Sequence, residues 1–555
     1  MKHPLFEQHE ALLNQAVHAI ADRGYWTPYP EVPSPKVYGE TAADEGRAAF
    51  ESYLGADFDF PGQPAASGRV GSERSPYTGA LNIRYPRFDV DTLIAASQAA
   101  AKDWRQAGPE AWVGVSLEIL ARLNKKSFEI AHAVMHTTGQ AFMMSFQAGG
   151  PHAQDRALEA VAYAWRELAA IPTAASWTKP QGKHDPVVVE KTWKVVPRGI
   201  GLVIGCCTFP TWNGYPGLFA SLSTGNTVIV KPHAGAVLPM AITVKIAREV
   251  LAEAGFDPNV VLLAANQSGE PLATLLAARP EVKVIDFTGS RQNGEWLEAN
   301  CRQAQVYTEK AGVNTIVIDS THDFKGLTRN IALSLALYGG QMCTAPQNIF
   351  VPAGGIDTPE GHLSYDDVVA GIARAIDGLT ADPAKAVEFL GAIQNPGVLA
   401  RLEAAEKLGQ PLLDSRAIAH PLYPEAVVRT PLIRQLSTAD SAIYQEEHFG
   451  PIAFVIKTVD SAESLAIVED TVREHGALSF SVYSTDAATQ LRAQEVAENA
   501  CVALSLNFTG GVLVNQSAAF SDYHGTGGNP AANAALSDSA FVANRFRVVQ
   551  TRRFA

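Results

Sequence analysis

The sequence predicts an α/β protein with a parallel-sheet domain, a second α/β domain and a small β extension. Three observations carry this. From about Gly199 onward, short apolar runs rich in β-branched residues alternate with helical stretches, the pattern of buried parallel strands joined by crossover helices. At 555 residues the chain exceeds what one hydrophobic core organises. Near Val187–Val196 and again at Phe546–Gln550, strand-like segments stand outside that alternation. The expected divisions are 1–60, 61–178 with 198–312, 313–515, and 179–197 with 516–555.

Taken in order, residues 1–60 are expected to be helical to about Arg23 and loop-like after it. Between Pro28 and Pro35 four prolines fall in eight residues, which forbids regular helix. Val90–Arg166 is Ala-rich with helical periodicity at Leu93, Ala96, Ala100 and Trp104. Thr178–Asp185 reads as a polar turn, followed by short strands at Val187–Val189 and Trp193–Val196. Strands are then expected at Gly201–Gly205, Thr227–Val230, Val260–Leu263 and Val282–Ile285, with helices at Pro239–Ala254 and Glu270–Ala278 between them. A second α/β stretch runs from Asn314–Ile318 to about Leu504. Within it Pro352–Ser364 reads as a surface loop. The tail from Phe520 is rich in Gly, Asn and Ala.

Composition narrows the function classes. Apolar residues make up 47% and charged residues 18%, an ordinary globular balance. Lys plus Arg is 44 and Asp plus Glu is 57, so the net charge is −13, unfavourable for phosphate backbones or anionic membranes. Five cysteines with no Cys-x-x-Cys pair give no disulfide framework and point to a reducing compartment. The start, Met1–Leu13, lacks the apolar stretch of a signal peptide. The most apolar runs, Ile200–Cys207 and Ile331–Tyr338, are too short to span a bilayer. A soluble, cytoplasmic protein is expected. His132 and His136 share a helical face, but Ala133 stands where a zinc protease has glutamate, and adjacent Cys206 and Cys207 do not chelate one ion well. No metal is expected. There is no Gly-x-Ser-x-Gly elbow and no basic aromatic stripe for nucleic acid.

Five short segments carry candidate chemistry. Lys231 directly follows the strand Val228–Val230, with His233 two residues on, a position typical of ligand sites in open α/β sheets. Gly289, Ser290 and Gly294 lie between a strand and an expected helix, where free backbone N–H groups favour a phosphate; the Gly-x-Gly-x-x-Gly fingerprint itself is absent. Glu309 stands at a short segment's end before Gly312. Cys343 follows Gly340-Gln341-Met342, and Glu447 and Phe449 precede Gly450-Pro451. Singly, each has a plain alternative: a surface lysine, an ordinary turn, a solvated carboxylate, a small buried thiol.

In their order these segments resemble the aldehyde dehydrogenase superfamily over roughly residues 75–515, with Ser75-Pro76-Tyr77-Thr78-Gly79 similar to its entry turn. Phe209-Pro210-Thr211-Trp212-Asn213-Gly214-Tyr215-Pro216-Gly217 further resembles the phenylacetate-degradation (PaaN-type) members.

The resemblance implies a fold and a set of roles. Residues 61–178 and 198–312 would bind NAD(P), 313–515 would carry catalysis, and 179–197 with 516–555 would pair subunits into a homodimer or homotetramer. Cys343 would attack the aldehyde carbon, pass through a thiohemiacetal, and form an acyl thioester after hydride transfer. Glu309 would activate the hydrolytic water, favouring a free acid over transfer to coenzyme A. Lys231 and Glu447 would hold ribose hydroxyls, Gly289 and Ser290 the pyrophosphate, and Phe449 the nicotinamide. Two departures stand out. Thr208 occupies the place where many relatives have an oxyanion-binding asparagine, and is expected to substitute, with Asn213 reaching in or a weaker oxyanion hole as the alternatives. Ala234 replaces a glutamate common in NAD-preferring relatives, so NADP is expected to be accepted and preferred, with Lys231 and His233 near its 2′-phosphate. The implied substrate is a semialdehyde on a coenzyme A thioester. The alternatives are a general aliphatic or aromatic aldehyde dehydrogenase and a catalytically silent relative, hinted at only by Thr208.

Overall fold

The computed structural model describes residues 2–310 and 312–555. It is an α/β molecule containing the two large sheets the alternation predicts. The first is wholly parallel: β1 (Ile200–Ile204), β2 (Thr227–Lys231), β3 (Val261–Leu263), β4 (Val282–Thr288) and β5 (Gln305–Glu309), in the order β5–β4–β1–β2–β3. The chain grows outward from β1 on one side, then returns to β4 and grows on the other. This reversal opens a crevice at the carboxyl ends of β1 and β4.

Alternate residues of these strands feed two cores, which is why the strands read as continuous apolar runs. Val203, Val228 and Val230 face a core shared with helices Pro109–Lys125 and Pro151–Ala169 and with α1 (Pro210–Ser223). Leu202, Ile204, Ile229 and Phe287 face the opposite core with Phe88, Leu93 and Leu276.

α2 (Arg291–Asn300) follows β4. The second sheet comprises β6 (Thr315–Ile318), β7 (Asn348–Pro352), β8 (Gln410–Leu413), β9 (Leu432–Ser437), β10 (Ile452–Thr458), β11 (Ser479–Tyr483) and β12 (Ala503–Leu506). Its order is β8–β9–β10–β7–β6–β11–β12, all parallel except β8. α3 (Phe324–Ala336) joins β6 to the loop before β7. No helix among the described residues is long and apolar enough to cross a membrane.

Several expectations need correction. Residues 24–60 are not all loop: Ala42–Tyr53 is a helix whose Phe50 is buried, and Tyr53 donates to Glu129 at 2.7 Å. Its Asp, Glu and Gly residues hid the sparse apolar stripe. The helix Pro4–Asp22 buries Phe6, Leu13, Ala16 and Ile20 in the core of the first sheet, so the N-terminal segment is integral to that core. The turn expected over Thr178–Asp185 is confined to Gly182 and Lys183, and the rest of that segment is strand. Ala174–Gln181 and His184–Pro197 form one long hairpin closed around Gly182, and Phe546–Phe554 adds a third strand beside the second. Alternation was faint there because nearly every residue is exposed, so no apolar face marks it. Pro352–Ser364 contains a small hairpin, Ile356–Thr358 with Gly361–Leu363.

Residues 516–545, grouped by sequence with the β extension, pack instead along the first sheet and the crevice. Phe520, Phe541 and Val542 join its core. Arg545, fully buried, makes a bidentate pair with Asp286 of β4 at 2.5 and 2.8 Å and donates to Ser221 at 2.7 Å. Such a pair needs its donors satisfied to offset desolvation, and these contacts do so.

Candidate active site

The motif residues converge because of where each sits on its sheet. Thr208, Lys231, His233, Gly289, Ser290 and Glu309 all lie at or just beyond the carboxyl ends of β1, β2, β4 and β5. Cys343, Glu447 and Phe449 lie in loops entering the amino ends of β7 and β10, which are adjacent parallel strands. The site is therefore a cleft between the carboxyl edge of one sheet and the amino edge of the other.

Cys343 is held by an unusual exit from α3. Tyr338, Gly339 and Gly340 all adopt positive φ, and a Cβ on Gly340 would meet the Gly450 carbonyl oxygen at 2.3 Å. Glycine is thus required where the cysteine loop crosses the Glu447–Pro451 turn. The Tyr338 hydroxyl donates to the Thr138 carbonyl at 2.5 Å. Asn314 Nδ2 donates to the Cys343 carbonyl at 2.8 Å, while its Oδ1 accepts the Leu478 and Ser479 amides. Met342, Gly312, Glu447, Phe449 and Gly450 line a cleft of about 260 Å³ beside the half-buried thiol.

Glu309 ends β5, its carbonyl accepting the Gly289 amide at 3.1 Å. Its side chain is only 3% exposed, and Asn213 Nδ2 from α1 donates to Oε2 at 3.1 Å. His524 brings Nε2 to 3.2 Å from Oε1 and 3.8 Å from the Cys343 sulfur. The ring nitrogen is aimed at the sulfur, and Oε1 sits beside that axis as a counter-charge without a hydrogen bond of its own. Sulfur, imidazole and carboxylate lie within 4.8 Å of one another. These are also donor types that zinc accepts, a set invisible to sequence spacing.

The electrostatics are opposed. Burial pushes the Glu309 carboxyl up, but a charged His524 beside it, the nearby Cys343 thiol and the Asn213 hydrogen bond together carry it below the ordinary range. Burial pushes the Cys343 thiol well up, and the Glu309 charge adds to this.

The other expected residues fall as follows. Lys231 is buried at 9% exposure, and burial lowers its ammonium to about 8. Its side chain makes no hydrogen bond or ion pair among the described residues, so it fits an incoming ribose hydroxyl or phosphate. His233 is exposed, its Nδ1 accepting the Gly235 amide at 3.1 Å, and Ala234 is buried. Ser290 caps α2, accepting the Asn293 amide, with Gly289 before it at the β4 end. Gly294 lies buried against the Lys310 side chain. Burial raises Glu447 to about 7. The Thr208 hydroxyl points to the Cys206 sulfur at 3.9 Å, while the Asn213 amide gives one hydrogen bond to Glu309. The Cys343 amide has no partner among the described residues. Ala311, between Glu309 and Gly312, lies outside the described residues.

Sequence reading missed His524. It lies in the Gly-rich tail, 181 residues from Cys343, and only the fold joins them. Tyr523-His524-Gly525 offered no spacing signal.

Comparison with known proteins bears on the family and the fold. Residues 67–531 match the model of the aldehyde dehydrogenase family. A crystal structure described as an NAD-dependent aldehyde dehydrogenase from Burkholderia multivorans is 63% identical, covers 100% of both chains and superposes with a TM-score of 0.99. The N-succinylglutamate 5-semialdehyde dehydrogenase of Burkholderia multivorans is 27% identical over 73% of this chain and 80% of its own length. A Bacillus halodurans NADP-dependent glyceraldehyde-3-phosphate dehydrogenase, solved with NADP, shares the fold at 18% identity and a TM-score of 0.69, covering 89% of this chain and 98% of its own. Since the family match spans both sheets and the cleft between them, this chain belongs to the aldehyde dehydrogenase family.

Proposed function

We propose that the chain oxidises an aldehyde to a carboxylic acid with NAD(P), using Cys343 as nucleophile and Glu309 as base. The observation that carries this is the meeting of the Cys343 thiol and the Glu309 carboxylate at the crevice between the two sheets. A bound nicotinamide dinucleotide supplies the hydride acceptor. Lys231, the Gly289-Ser290 turn, Glu447 and Phe449 have the chemistry to hold and orient it, with the unpaired Lys231 ammonium as the strongest indication.

The sulfur adds to the aldehyde carbon, and the resulting oxyanion meets the Thr208 hydroxyl and the Cys343 amide. Asn213 has one amide hydrogen on Glu309 and a second still available, so it stands as the alternative donor to Thr208. After oxidation, Glu309 removes a proton from water as that water attacks the thioester carbonyl, and the thiol leaves with the free acid. An intact Cys343 and Glu309 oppose a catalytically silent reading.

The finer substrate reading is a semialdehyde. The family's N-succinylglutamate semialdehyde relatives support an aldehyde on a chain with a second acyl function. A coenzyme A-linked semialdehyde of aromatic breakdown rests on the Phe209–Gly217 resemblance, and a general aldehyde dehydrogenase is the alternative. For the cofactor, Ala234 leaves room for a 2′-phosphate, whereas the 63% identical relative is described as NAD-dependent. We therefore infer that both dinucleotides are accepted. The three-stranded sheet leaves Trp177, Val548 and Val549 exposed, which supports subunit pairing through it.

The test pairs Cys343→Ala with a panel of simple aldehydes, carboxylate semialdehydes and coenzyme A-linked semialdehydes. Cys343→Ala is expected to fold normally and lose all cofactor reduction. Retained turnover would overturn the assignment, and the panel ranks the substrate classes by kcat/KM.

A further inference from the structure

We propose that His524 is a catalytic residue that takes the Cys343 thiol proton, leaving Glu309 free for the hydrolytic water. This rests on the reading of Cys343 as nucleophile.

The argument starts from the environment of the sulfur. Burial and the Glu309 carboxylate both disfavour a thiolate there, and the Cys206 and Glu447 groups act in the same direction. A nucleophilic thiolate needs a positive neighbour. Among the described residues, His524 Nε2 at 3.8 Å is the nitrogen base in contact with the sulfur. The ring is buried, with 3% side-chain exposure, and the sulfur it faces is half-buried.

The other ring nitrogen is also accounted for. His524 Nδ1 lies 3.2 Å from Ser517 Oγ, and Arg156 Nη2 donates to the same oxygen at 3.0 Å. A hydroxyl oxygen has two lone pairs, so it accepts from both Arg156 and a protonated Nδ1. When Nδ1 carries the proton of the neutral ring in this way, Nε2 is the base that faces the thiol, and the Glu309 carboxylate 3.2 Å away stabilises the imidazolium once the thiol proton arrives. The ring is fixed in place by Trp212, whose indole meets it edge-on at 4.5 Å between centroids. Arg156 in turn stacks on Trp212 at 5.4 Å and is paired with Glu159 at 2.8 Å.

The step balances simply. The S–H bond breaks, its electron pair stays on sulfur, and the proton forms an N–H bond at Nε2. The imidazolium then lies between thiolate and Glu309 carboxylate. The charged or titratable groups facing the ring are Cys343 from the loop before β7 and Glu309 from β5. Arg156, from helix Pro151–Ala169, stands behind Ser517.

The experiment is the pH dependence of iodoacetamide alkylation at Cys343, read by peptide mass, together with steady-state kinetics, in wild type, His524→Gln and His524→Asn. Gln retains a polar group near Nε2 but no base, and Asn replaces only the Nδ1 side. The expected result is an upward shift of the alkylation midpoint by about one to two pH units in both variants, hence alkylation slowed about 10- to 100-fold near neutrality. kcat should fall with it while KM for the aldehyde changes little. An unchanged midpoint in a variant with a wild-type near-ultraviolet circular dichroism spectrum overturns the role of His524. So does a fall in kcat without any shift of that midpoint. Either result leaves the nucleophile assignment standing, because Cys343→Ala decides that separately.

Discussion

Replacing Glu309 by glutamine separates the two halves of the proposed reaction. The substitution is nearly isosteric in a site where the side chain is 3% exposed, so the packing is preserved. Its carbonyl oxygen can still accept the Asn213 amide, now 3.1 Å from Oε2. The new NH₂ then faces His524 Nε2 and the sulfur, where a negative counter-charge stood. Two consequences follow. The thiol loses the repulsion of the carboxylate, so its ionisation is not impaired by that neighbour. Hydrolysis loses its base, which typically slows such a step by about 10²–10⁴-fold, or about 3–5 kcal/mol of barrier. The first turnover should therefore survive while the second stalls. Stopped-flow measurement of reduced cofactor should show a burst approaching one equivalent per subunit, then a steady rate lowered by that factor. An unchanged steady rate would refute the role of Glu309, and loss of the burst together with turnover would place Glu309 in the first half-reaction instead.

Two further outcomes follow from the cofactor side. Ala234→Glu puts a carboxylate where a 2′-phosphate is expected, so kcat/KM with NADP should fall at least about tenfold relative to NAD, a difference of about 1.4 kcal/mol; an unchanged ratio of the two cofactors would remove Ala234 from specificity. Burial raises Glu447 to about 7 from its ordinary 4.5, so the folded chain binds that proton more tightly than the unfolded chain. Its contribution without cofactor is then lost as pH rises from 4.5 through about 7, by at most about 3 kcal/mol before solvent screening. Denaturant titrations across that window should show the decline in wild type and a flatter profile in Glu447→Gln; identical profiles would mean the carboxylate is not held this way.

The fold class was legible in the sequence for a physical reason, whereas the meeting of Cys343 with Glu309 was expected from the family resemblance alone. Parallel strands buried on both faces leave continuous apolar runs, and ligand-facing residues of such sheets follow those runs at their carboxyl ends. Lys231 and Glu309 occupy those places. His524 was illegible because its role depends on chain segments 181 residues apart, and nothing local marks a histidine that lies against a sulfur. The hairpin strand Ala174–Gln181 escaped notice because it is exposed along its length, which erases the alternation that identifies a strand. The helix Ala42–Tyr53 was masked by charged and Gly residues around only two buried positions, Gly46 and Phe50. Thr208 illustrates a different gap: its place in the motif is readable, but the hydrogen bond that ties its rival Asn213 to Glu309 is formed only by the fold.

The most direct test of the account is to trap the covalent intermediate. Glu309→Gln, mixed with a turned-over aldehyde and cofactor, quenched in acid and digested, should yield a peptide carrying the acyl group on Cys343 and on none of Cys206, Cys207, Cys301 or Cys501. Acylation of another cysteine, or a full burst of reduced cofactor with no acylated peptide, would contradict the central claim.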